Sequence, residues 1–388
     1  MQLDGIRVLD FTRLLPGPYA TQLLADCGAD VIKIEDTDLG DYAREMAPRT
    51  ERGVGAVFDM VNRGKRSVAL DLKSAAGREV IHELAETTDV LIEGFRPGVA
   101  DRLGIDYETI AERNRAIVYC SLTGYGQTGP YADRAGHDLN YVGLAGLLDM
   151  TRTDENEAPR IPGYPIGDMA GGTFAALSVL GALCSRELGN TTGEYLDVSM
   201  TDAVRSFSQP IANGALGDDP PRPGETPLTG AVPWYDVYET SDGRYVTLAA
   251  LEPKFWRNFC EAIGHEELID HHDTDDPTIR AALRETLDGI FAERTRAEWE
   301  EDLGELDATV EPVNTPAEAL SSPQATARGV VETPANAPPR VGFPVRSSES
   351  GSETDESVPD HGEHTGRVLR EYGFGSEIER FRDEGVIL

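Results

Sequence analysis

The chain has 388 residues and a formal net charge of −34, from 69 acidic and 35 basic side chains. A surface of this sign repels the phosphates of nucleic acids and disfavours a general nucleic-acid-binding role. The acid is spread along the chain, which predicts adaptation to the salty cytoplasm of a halophilic organism, where salt screens self-repulsion. An acidic surface made for a basic partner is the alternative.

Targeting segments are not evident in the sequence. No apolar run approaches membrane-spanning length, and the N-terminal stretch MQLDGIRVLDF lacks the basic and apolar regions of a signal peptide. We therefore expect a cytoplasmic protein without a membrane partner. The four cysteines show no CxxC spacing and are expected to be reduced thiols.

Apolar strand patterns alternate with helical patterns over the first 200 residues. Strands are predicted at 6–11, 30–35, 67–72, 89–94, 116–122 and 193–200. Helices are predicted at 16–28, at 74–88 with Ser74 as the cap, at 167–188 and at 201–216. This alternation predicts an α/β fold with a largely parallel sheet covered on both faces.

The pattern changes after a segment rich in proline, glycine and charge at 217–230, which we interpret as a linker. A strand–turn–strand unit follows at 234–251, with its turn at 241–243. Helical patterns at 252–264 and 277–303 complete a predicted smaller α/β domain. The acidic, low-complexity segment at 347–357 is predicted to be an exposed loop, and a helical pattern resumes in the C-terminal tail.

The first strand–helix turn, FTRLLPGPYA, has no GxGxxG, which argues against a dinucleotide-binding enzyme. Two short basic stretches instead point to a polyanionic ligand, because arginine and lysine pair well with phosphates. Ordinary surface charge is the alternative. The residues concerned are Arg63, Lys65, Arg66 and Lys73 in NRGKRSVALDLKS, and Arg96 and Arg102 in GFRPGVADRLG.

Three further residues are candidates for acid–base chemistry. Asp168 lies among glycines at a predicted helix start, where it is either a cap or a base or nucleophile beside backbone N–H donors. His137 also begins a helix, where it is either structural or a base. Glu252 in ALEPKFW precedes an aromatic helix start. The histidines at 271–272 and 361–364 lie in polar loops, and we expect no metal site there.

Several segments together resemble the class III CoA-transferase superfamily of the CaiB/BaiF type. They are GIRVLDFTRLLPGPYATQLLADCGADVIKIE, NRGKRSVALDLKS, DVLIEGFRPGV, SLTGYGQTGPY and GEHTGRVLREYG. In this family, transferases form an aspartyl-CoA thioester on an aspartate in a segment like IGDMAGG. The α-methylacyl-CoA racemases instead use that aspartate in proton transfer, and carry segments like GHDLNY and ALEPKFW.

The resemblance therefore implies a racemase in which His137, paired with Glu252, serves one face of the substrate and Asp168 the other. The helix that begins near Asp168 is expected to donate N–H groups to an enolate oxygen. A CoA-transferase with Asp168 as nucleophile is the main alternative, and a non-enzymatic acyl-CoA-binding protein is a third.

The resemblance also implies the ligand contacts. Lys73, Arg102 and Tyr141 match positions that contact CoA, and Arg96 joins them from the second basic stretch. Asp36 departs from the family pattern, which often has arginine there. No cofactor or metal is implied, because CoA is part of the substrate.

The fold implied is an interlocked homodimer. A large Rossmann-like domain comprises residues 1–216 and the returning segment 331–388, and a small domain comprises 231–330. The resemblance places the active site between the large domain of one subunit and the small domain of the other.

Overall fold

A computed structural model describes residues 2–154, 156–334, 338–348 and 357–388 of the chain. The chain separates into two compact units. The first comprises Met1–Ala145, Gly163–Ser208 and Gly329–Leu388, and the second comprises Gly146–Pro162 and Gln209–Arg328. Most of the acidic segment predicted as a loop at 347–357 lies outside the described residues.

The second unit thus includes a segment that we predicted with the large domain. Residues 146–162 pack beside the proline-rich linker. Gly224 of the linker lies so close to the backbone of Thr153 that a Cβ added at Gly224 would be 2.2 Å from the Thr153 carbonyl oxygen. The sequence gives no signal for this contact, since it depends on two distant loops meeting.

The strands in chain order are β1 (Arg7–Asp10), β2 (Asp30–Glu35), β3 (Arg66–Ala69), β4 (Val90–Glu93), β5 (Val118–Thr123), β6 (Glu194–Ser199), β7 (Tyr235–Glu239), β8 (Tyr245–Ala249), β9 (Val310–Pro312), β10 (Val331–Glu332) and β11 (Arg340–Val341). The first six form one sheet in the order β3-β2-β1-β4-β5-β6. Every neighbouring pair in it is parallel, which confirms the predicted parallel sheet.

The α-helices in chain order are α1 (Pro16–Asp26), α2 (Ala56–Val61), α3 (Ala75–Ala85), α4 (Val99–Leu103), α5 (Tyr107–Arg113), α6 (Asp138–Leu144), α7 (Ile166–Glu187), α8 (Met200–Ser206), α9 (Ala212–Ala215), α10 (Pro253–Ile263), α11 (Pro277–Phe291), α12 (Arg296–Leu303), α13 (Pro316–Ser321), α14 (Pro323–Arg328), α15 (Thr365–Glu371) and α16 (Ile378–Asp383). Ser74 caps α3 as predicted, because its side chain accepts a hydrogen bond from the Gly77 N–H. The helix predicted at 201–216 is interrupted, since α8 ends before Pro210, which cannot donate to a continuing helix.

Helices cover both faces of the large sheet. On one face α3, α5, α15 and α16 pack in a cluster with strand residues such as Leu9 and Leu91. On the other face α1 and α7 pack in a cluster with Val8 and Val90. The strands are therefore buried on both sides, as their near-continuous apolar sequences require.

Helix α7 crosses α1 at close range. A Cβ at Gly172 would lie 2.5 Å from the carbonyl oxygen of Pro16, so only glycine permits this approach. With 22 residues α7 is also long and apolar enough to cross a membrane by length and composition alone, contrary to our expectation from sequence. Half of it is buried within the protein, as is common for a core helix.

The C-terminal segment completes the edge of the large sheet. The N–H of His364 donates to the carbonyl of Ser67 at 2.9 Å, and the Ala69 N–H donates to Oγ1 of Thr365 at 3.0 Å. Leu70 and Ile387 form a further antiparallel bridge. Strand β3 would otherwise be an open edge, so this returning segment protects it.

The second unit is built on the antiparallel sheet β7-β8-β9. Its first two strands are joined at the predicted turn, where the Thr240 N–H donates to the Arg244 carbonyl at 2.8 Å. Large aromatic side chains of α10, α11 and α12 pack together in its core, among them Trp256, Phe291 and Trp299.

Candidate active site

A cavity of about 850 Å³ lies in the first unit, at the carboxyl ends of β1, β4 and β5. Its wall includes the loop residues that follow these strands and side chains from α6 and α7. In open parallel sheets, ligands bind at this edge, where loops after neighbouring strands converge. His137 and Asp168 both line this cavity, together with Tyr141 and Arg96.

His137 is the residue immediately before α6. Its backbone N–H donates to Oδ1 of Asn140 at 3.0 Å, which ties the start of the helix together. The imidazole ring is exposed on the cavity wall. A ring in this position faces the space that a bound ligand would occupy.

Asp168 lies in the first turn of α7, two residues after the helix begins at Ile166, so it is not the cap that we considered. Burial and the nearby carboxylate of Asp138 raise the pKa of Asp168 to about 7. An aspartate with this pKa exists in both protonation states near neutral pH, which suits an acid or base.

The glycines beside Asp168 serve packing. A Cβ at Gly171 would lie 2.3 Å from Cγ of Met200, and Gly172 contacts α1 as described above. Protein atoms therefore occupy the space that a Cβ would need at both positions, so these glycines permit helix packing and not the approach of a ligand.

The N–H groups at the start of α7 are also engaged. Those of Gly167 and Asp168 donate to Oδ1 of Asp138 at 2.6 and 3.0 Å. Those of Ile166 and Met169 donate to the carbonyls of Tyr164 and Pro165 at 2.9 and 3.0 Å. The prediction that this helix start donates to an enolate oxygen is therefore wrong.

Asn140 is a donor that the sequence did not reveal. Its Oδ1 accepts a hydrogen bond from the His137 N–H. The two N–H bonds of its amide nitrogen are not used in that contact, and the side chain lines the cavity. The amide carries no other partner among the described residues.

Arginines give the cavity a positive wall in an otherwise acidic protein. Arg13, Arg96 and Arg134 all line it. The guanidinium of Arg134 stacks 3.6 Å above the ring of Tyr131, which holds it in place without cancelling its charge. Only Arg96 was predicted; the other two lie in loops whose shape the sequence does not reveal.

Arg13 is partly neutralised by the residue that departs from the family pattern. Its Nη2 lies 3.4 Å from Oδ2 of Asp36. The other carboxylate oxygen of Asp36 accepts the N–H groups of Asp38, Leu39 and Gly40, so this aspartate shapes a turn. It lowers the positive charge at this end of the cavity.

Most of the first basic stretch is structural. Arg63 pairs with Asp26 at 2.5 Å, and Arg66 pairs with Asp30 at 2.6 Å. Lys65 is fully buried. The polyanion-binding interpretation is therefore wrong for these three residues, whose charges neutralise internal carboxylates.

The remaining predicted residues lie outside the cavity wall. Lys73 and Arg102 belong to the first unit, where both are exposed. Glu252 belongs to the second unit, where it is exposed immediately before α10.

The histidine runs have structural partners. Nε2 of His272 donates a hydrogen bond to the Ala250 carbonyl, 3.0 Å away, and the ring stacks on Trp256. His361 contacts the carbonyl of Asp36 at 2.7 Å. Across the described residues, no cluster of three or more His, Cys, Asp or Glu side chains has the geometry of a metal site.

The site therefore combines acid–base groups with arginines at the carboxyl edge of a parallel sheet. We class the protein with α/β enzymes that act on anionic ligands. The sequence matches the CoA-transferase family III model over residues 3–365, and the chain belongs to that family.

Relatives with different activities are equally similar to this chain. Human alpha-methylacyl-CoA racemase is 32% identical over 100% of this chain and 98% of its own length. Mouse succinyl-CoA:glutarate CoA-transferase is 32% identical over 99% of this chain and 90% of its own. The crystal structure of a CAIB/BAIF family protein from Brucella suis superimposes with a TM-score of 0.83 at 31% identity, covering 95% of this chain and 99% of that one.

Proposed function

We propose that the protein inverts C2 of 2-methyl-branched acyl-CoA thioesters by 1,1-proton transfer. The observation that carries this proposal is that His137 and Asp168 line one cavity, with the pKa of Asp168 raised to about 7 by burial and by Asp138. A racemase needs two such groups, because a single base tends to return the proton to the face from which it came.

The reaction proceeds through an enolate. One residue removes the C2 proton, the electron pair of the C–H bond moves onto the thioester oxygen, and the other residue delivers a proton to the opposite face. We assign these roles to His137 and Asp168, and either can act first because the reaction runs in both directions. Glu252 keeps its predicted role as the partner of the imidazole.

The developing oxyanion needs a donor, and the start of α7 does not supply one. We assign this role to the Asn140 amide, whose orientation is fixed by its hydrogen bond to the His137 N–H. Arg96 and Arg134 are assigned to the phosphates of CoA.

The chemistry proposed requires no metal and no cofactor besides the CoA of the substrate. We further propose a cytoplasmic homodimer. Exposed apolar side chains support the dimer, since Leu177 in α7 and Leu188, which directly follows that helix, are 59% and 71% exposed, and apolar surface of this kind is usually covered.

The main alternative is a CoA-transferase with Asp168 as nucleophile. Such a nucleophile must be ionised, and a carboxyl group with a pKa of about 7 is protonated in half of the molecules at that pH. The other half carry the ionised carboxylate, so this pKa is compatible with both reactions and the choice between them rests on experiment.

One experiment separates the candidates. The protein is incubated with a single epimer of a 2-methylacyl-CoA in D₂O at high salt, with and without an added carboxylic acid. A racemase incorporates deuterium at C2 while optical purity is lost. Transfer of CoA to the added acid without exchange would establish the transferase, and binding without either reaction would indicate a non-enzymatic acyl-CoA-binding protein.

The His137→Ala variant provides the matched control. It should abolish racemisation, because one face of the substrate loses its acid–base group. A transferase that uses Asp168 as nucleophile should largely tolerate the same substitution.

A further inference from the structure

Asp138 joins the two helices that carry His137 and Asp168. It is the first residue of α6, yet its carboxylate caps α7 by accepting the N–H groups of Gly167 and Asp168 at 2.6 and 3.0 Å. A Cβ at Gly167 would lie 3.1 Å from the same oxygen, tighter than most such contacts. The short bond thus depends on a glycine at this position.

This arrangement places two carboxyl groups at one helix start. The N–H groups of a first turn favour an ionised carboxylate nearby, and here Asp138 takes the N–H of Asp168 itself. Asp168 therefore gains a negative neighbour and loses the backbone donors that would stabilise its own ionised form.

No cation offsets this effect at close range. Tyr141 faces Asp168 from α6, but its hydroxyl donates to the Gly136 carbonyl at 2.6 Å. Tyr125 packs edge-on against Tyr141, and Arg96 shares the same cavity. Within the described residues, neither Asp138 nor Asp168 forms an ion pair.

We propose that Asp138 is a positioning residue that keeps Asp168 able to exchange a proton near neutral pH, by placing a negative charge beside it and by occupying the N–H groups at the start of α7. The same contact holds α6 against α7, so that the side chains of His137 and Asp168 line the same cavity. The inference rests on the proposed function for its kinetic readout, but the protonation of Asp168 can be measured without any reaction.

The test compares Asp138→Asn with Asp383→Asn. Asparagine keeps an acceptor oxygen for the two N–H groups and removes only the charge. Asp383 lies exposed on α16, so its substitution changes the net charge equally without touching the site. The ionisation of Asp168 is followed by NMR of ¹³Cγ-labelled aspartate at high salt, with Asp168→Asn used to assign the signal.

In Asp138→Asn we expect the Asp168 midpoint to fall by about one pH unit, because a like charge has been removed. For the epimer from which Asp168 removes the proton, kcat/KM for C2 exchange falls at acidic pH as Asp168 becomes protonated. This acidic limb should move to lower pH by the same amount. The KM for acyl-CoA should stay within about twofold. Asp383→Asn should leave the midpoint and the limb unchanged.

Asp138→Ala removes the acceptor as well as the charge. It should lower kcat further than Asp138→Asn, and partial recovery by asparagine would show that the two hydrogen bonds position Asp168. Asp138→Ser, which also keeps a neutral acceptor, serves if the asparagine variant does not fold.

An unchanged Asp168 midpoint in the neutral variants would overturn the inference, whatever the enzyme catalyses. A shifted midpoint in a protein that performs no racemisation would instead reject the proposed function and leave the role of Asp138 in place.

Discussion

The ammonium group of Lys65 lies 3.2 Å from Oδ2 of Asp10, and neither side chain is exposed to solvent. The hydroxyl of Thr21 donates to the same carboxylate oxygen at 2.6 Å. A second buried pair, Lys33 with Asp41 at 2.9 Å, lies next to it. These buried groups have lost their hydration and are stabilised by one another instead. Removal of one therefore leaves its partner unpaired in the interior.

We therefore expect Asp10→Ala to lower the free energy of unfolding by about 3–5 kcal/mol. Although burial opposes it, the attraction of Lys33 and Lys65 lowers the pKa of Asp10 to about 2. Its ionised form thus stabilises the fold above pH 4 or so, and that contribution is lost as the pH falls towards 2. Denaturant titrations from pH 7 to pH 2 test this, with the exposed Asp4→Asn as control.

Asp168 shows the opposite dependence. Its folded-state pKa of about 7 is higher than the ordinary aspartate value of 3.8, so its ionisation in the folded protein is unfavourable. This cost is absent below pH 3.8, grows between pH 3.8 and 7, and is complete above 7. Asp168→Asn should therefore raise Tm at pH 8 while it lowers racemisation by at least about 100-fold.

The comparison of Tm at pH 8 and pH 4 provides the internal control for that variant. The gain should shrink to a small fraction at pH 4, where wild-type Asp168 is protonated in the folded state and only partly ionised in the unfolded state. A gain that is equal at both pH values would contradict the proposed cost of ionisation.

Asn140→Asp tests the assigned oxyanion donor. The aspartate keeps an oxygen that accepts the His137 N–H, but it loses the N–H bonds and adds a negative charge beside the enolate. We expect kcat to fall by about 10²–10³ with little change in Tm. A variant with normal kcat would assign the oxyanion to another group of the cavity.

The two arginines assigned to CoA predict an effect on binding. Arg134→Ala should raise the KM for acyl-CoA by about tenfold or more, because a charge-assisted hydrogen bond contributes roughly 1.5–3 kcal/mol. Its kcat should change little, since the guanidinium contacts no reacting atom in the proposed mechanism. Arg367→Ala, at an exposed arginine of α15, should leave KM unchanged.

The net charge of −34 predicts that stability rises with salt. At about 1 M salt the Debye length is near 3 Å, so repulsion between surface carboxylates is almost abolished. Tm should increase between 0.2 M and 3 M KCl. The increase should be larger than that in sucrose solutions of equal water activity, because sucrose does not screen charge. Equal effects of the two solutes would remove the support for a halophilic adaptation.

The parallel sheet could be predicted from sequence because its signal is local. The segment 30–35, DVIKIE, contains three β-branched apolar residues, and the observed strand has the same bounds. Ser74 likewise marks a helix start by its own chemistry. The bounds of α8 and α9 were less predictable, since a helical pattern continues across Pro210.

The candidate site was only partly predictable. His137, Asp168 and Tyr141, which the resemblance indicated, line one cavity with Arg96, which the second basic stretch indicated. The contacts of Asp138 were not predictable, because residues next to one another in sequence, such as 137 and 138, point to different partners in space. The partners of the basic residues were also hidden, since Lys65 and Asp10 are 55 positions apart.

The returning C-terminal segment has a consequence for synthesis of the protein. All six strands of the large sheet have been synthesised once Ser199 is added, but His364 lies 297 residues after Ser67, with which it pairs. The edge at β3 therefore stays open while the whole second unit is translated. An open edge of this kind can pair with the same edge of another incomplete chain and cause aggregation. Production of this protein therefore requires that incomplete chains are kept from contacting one another.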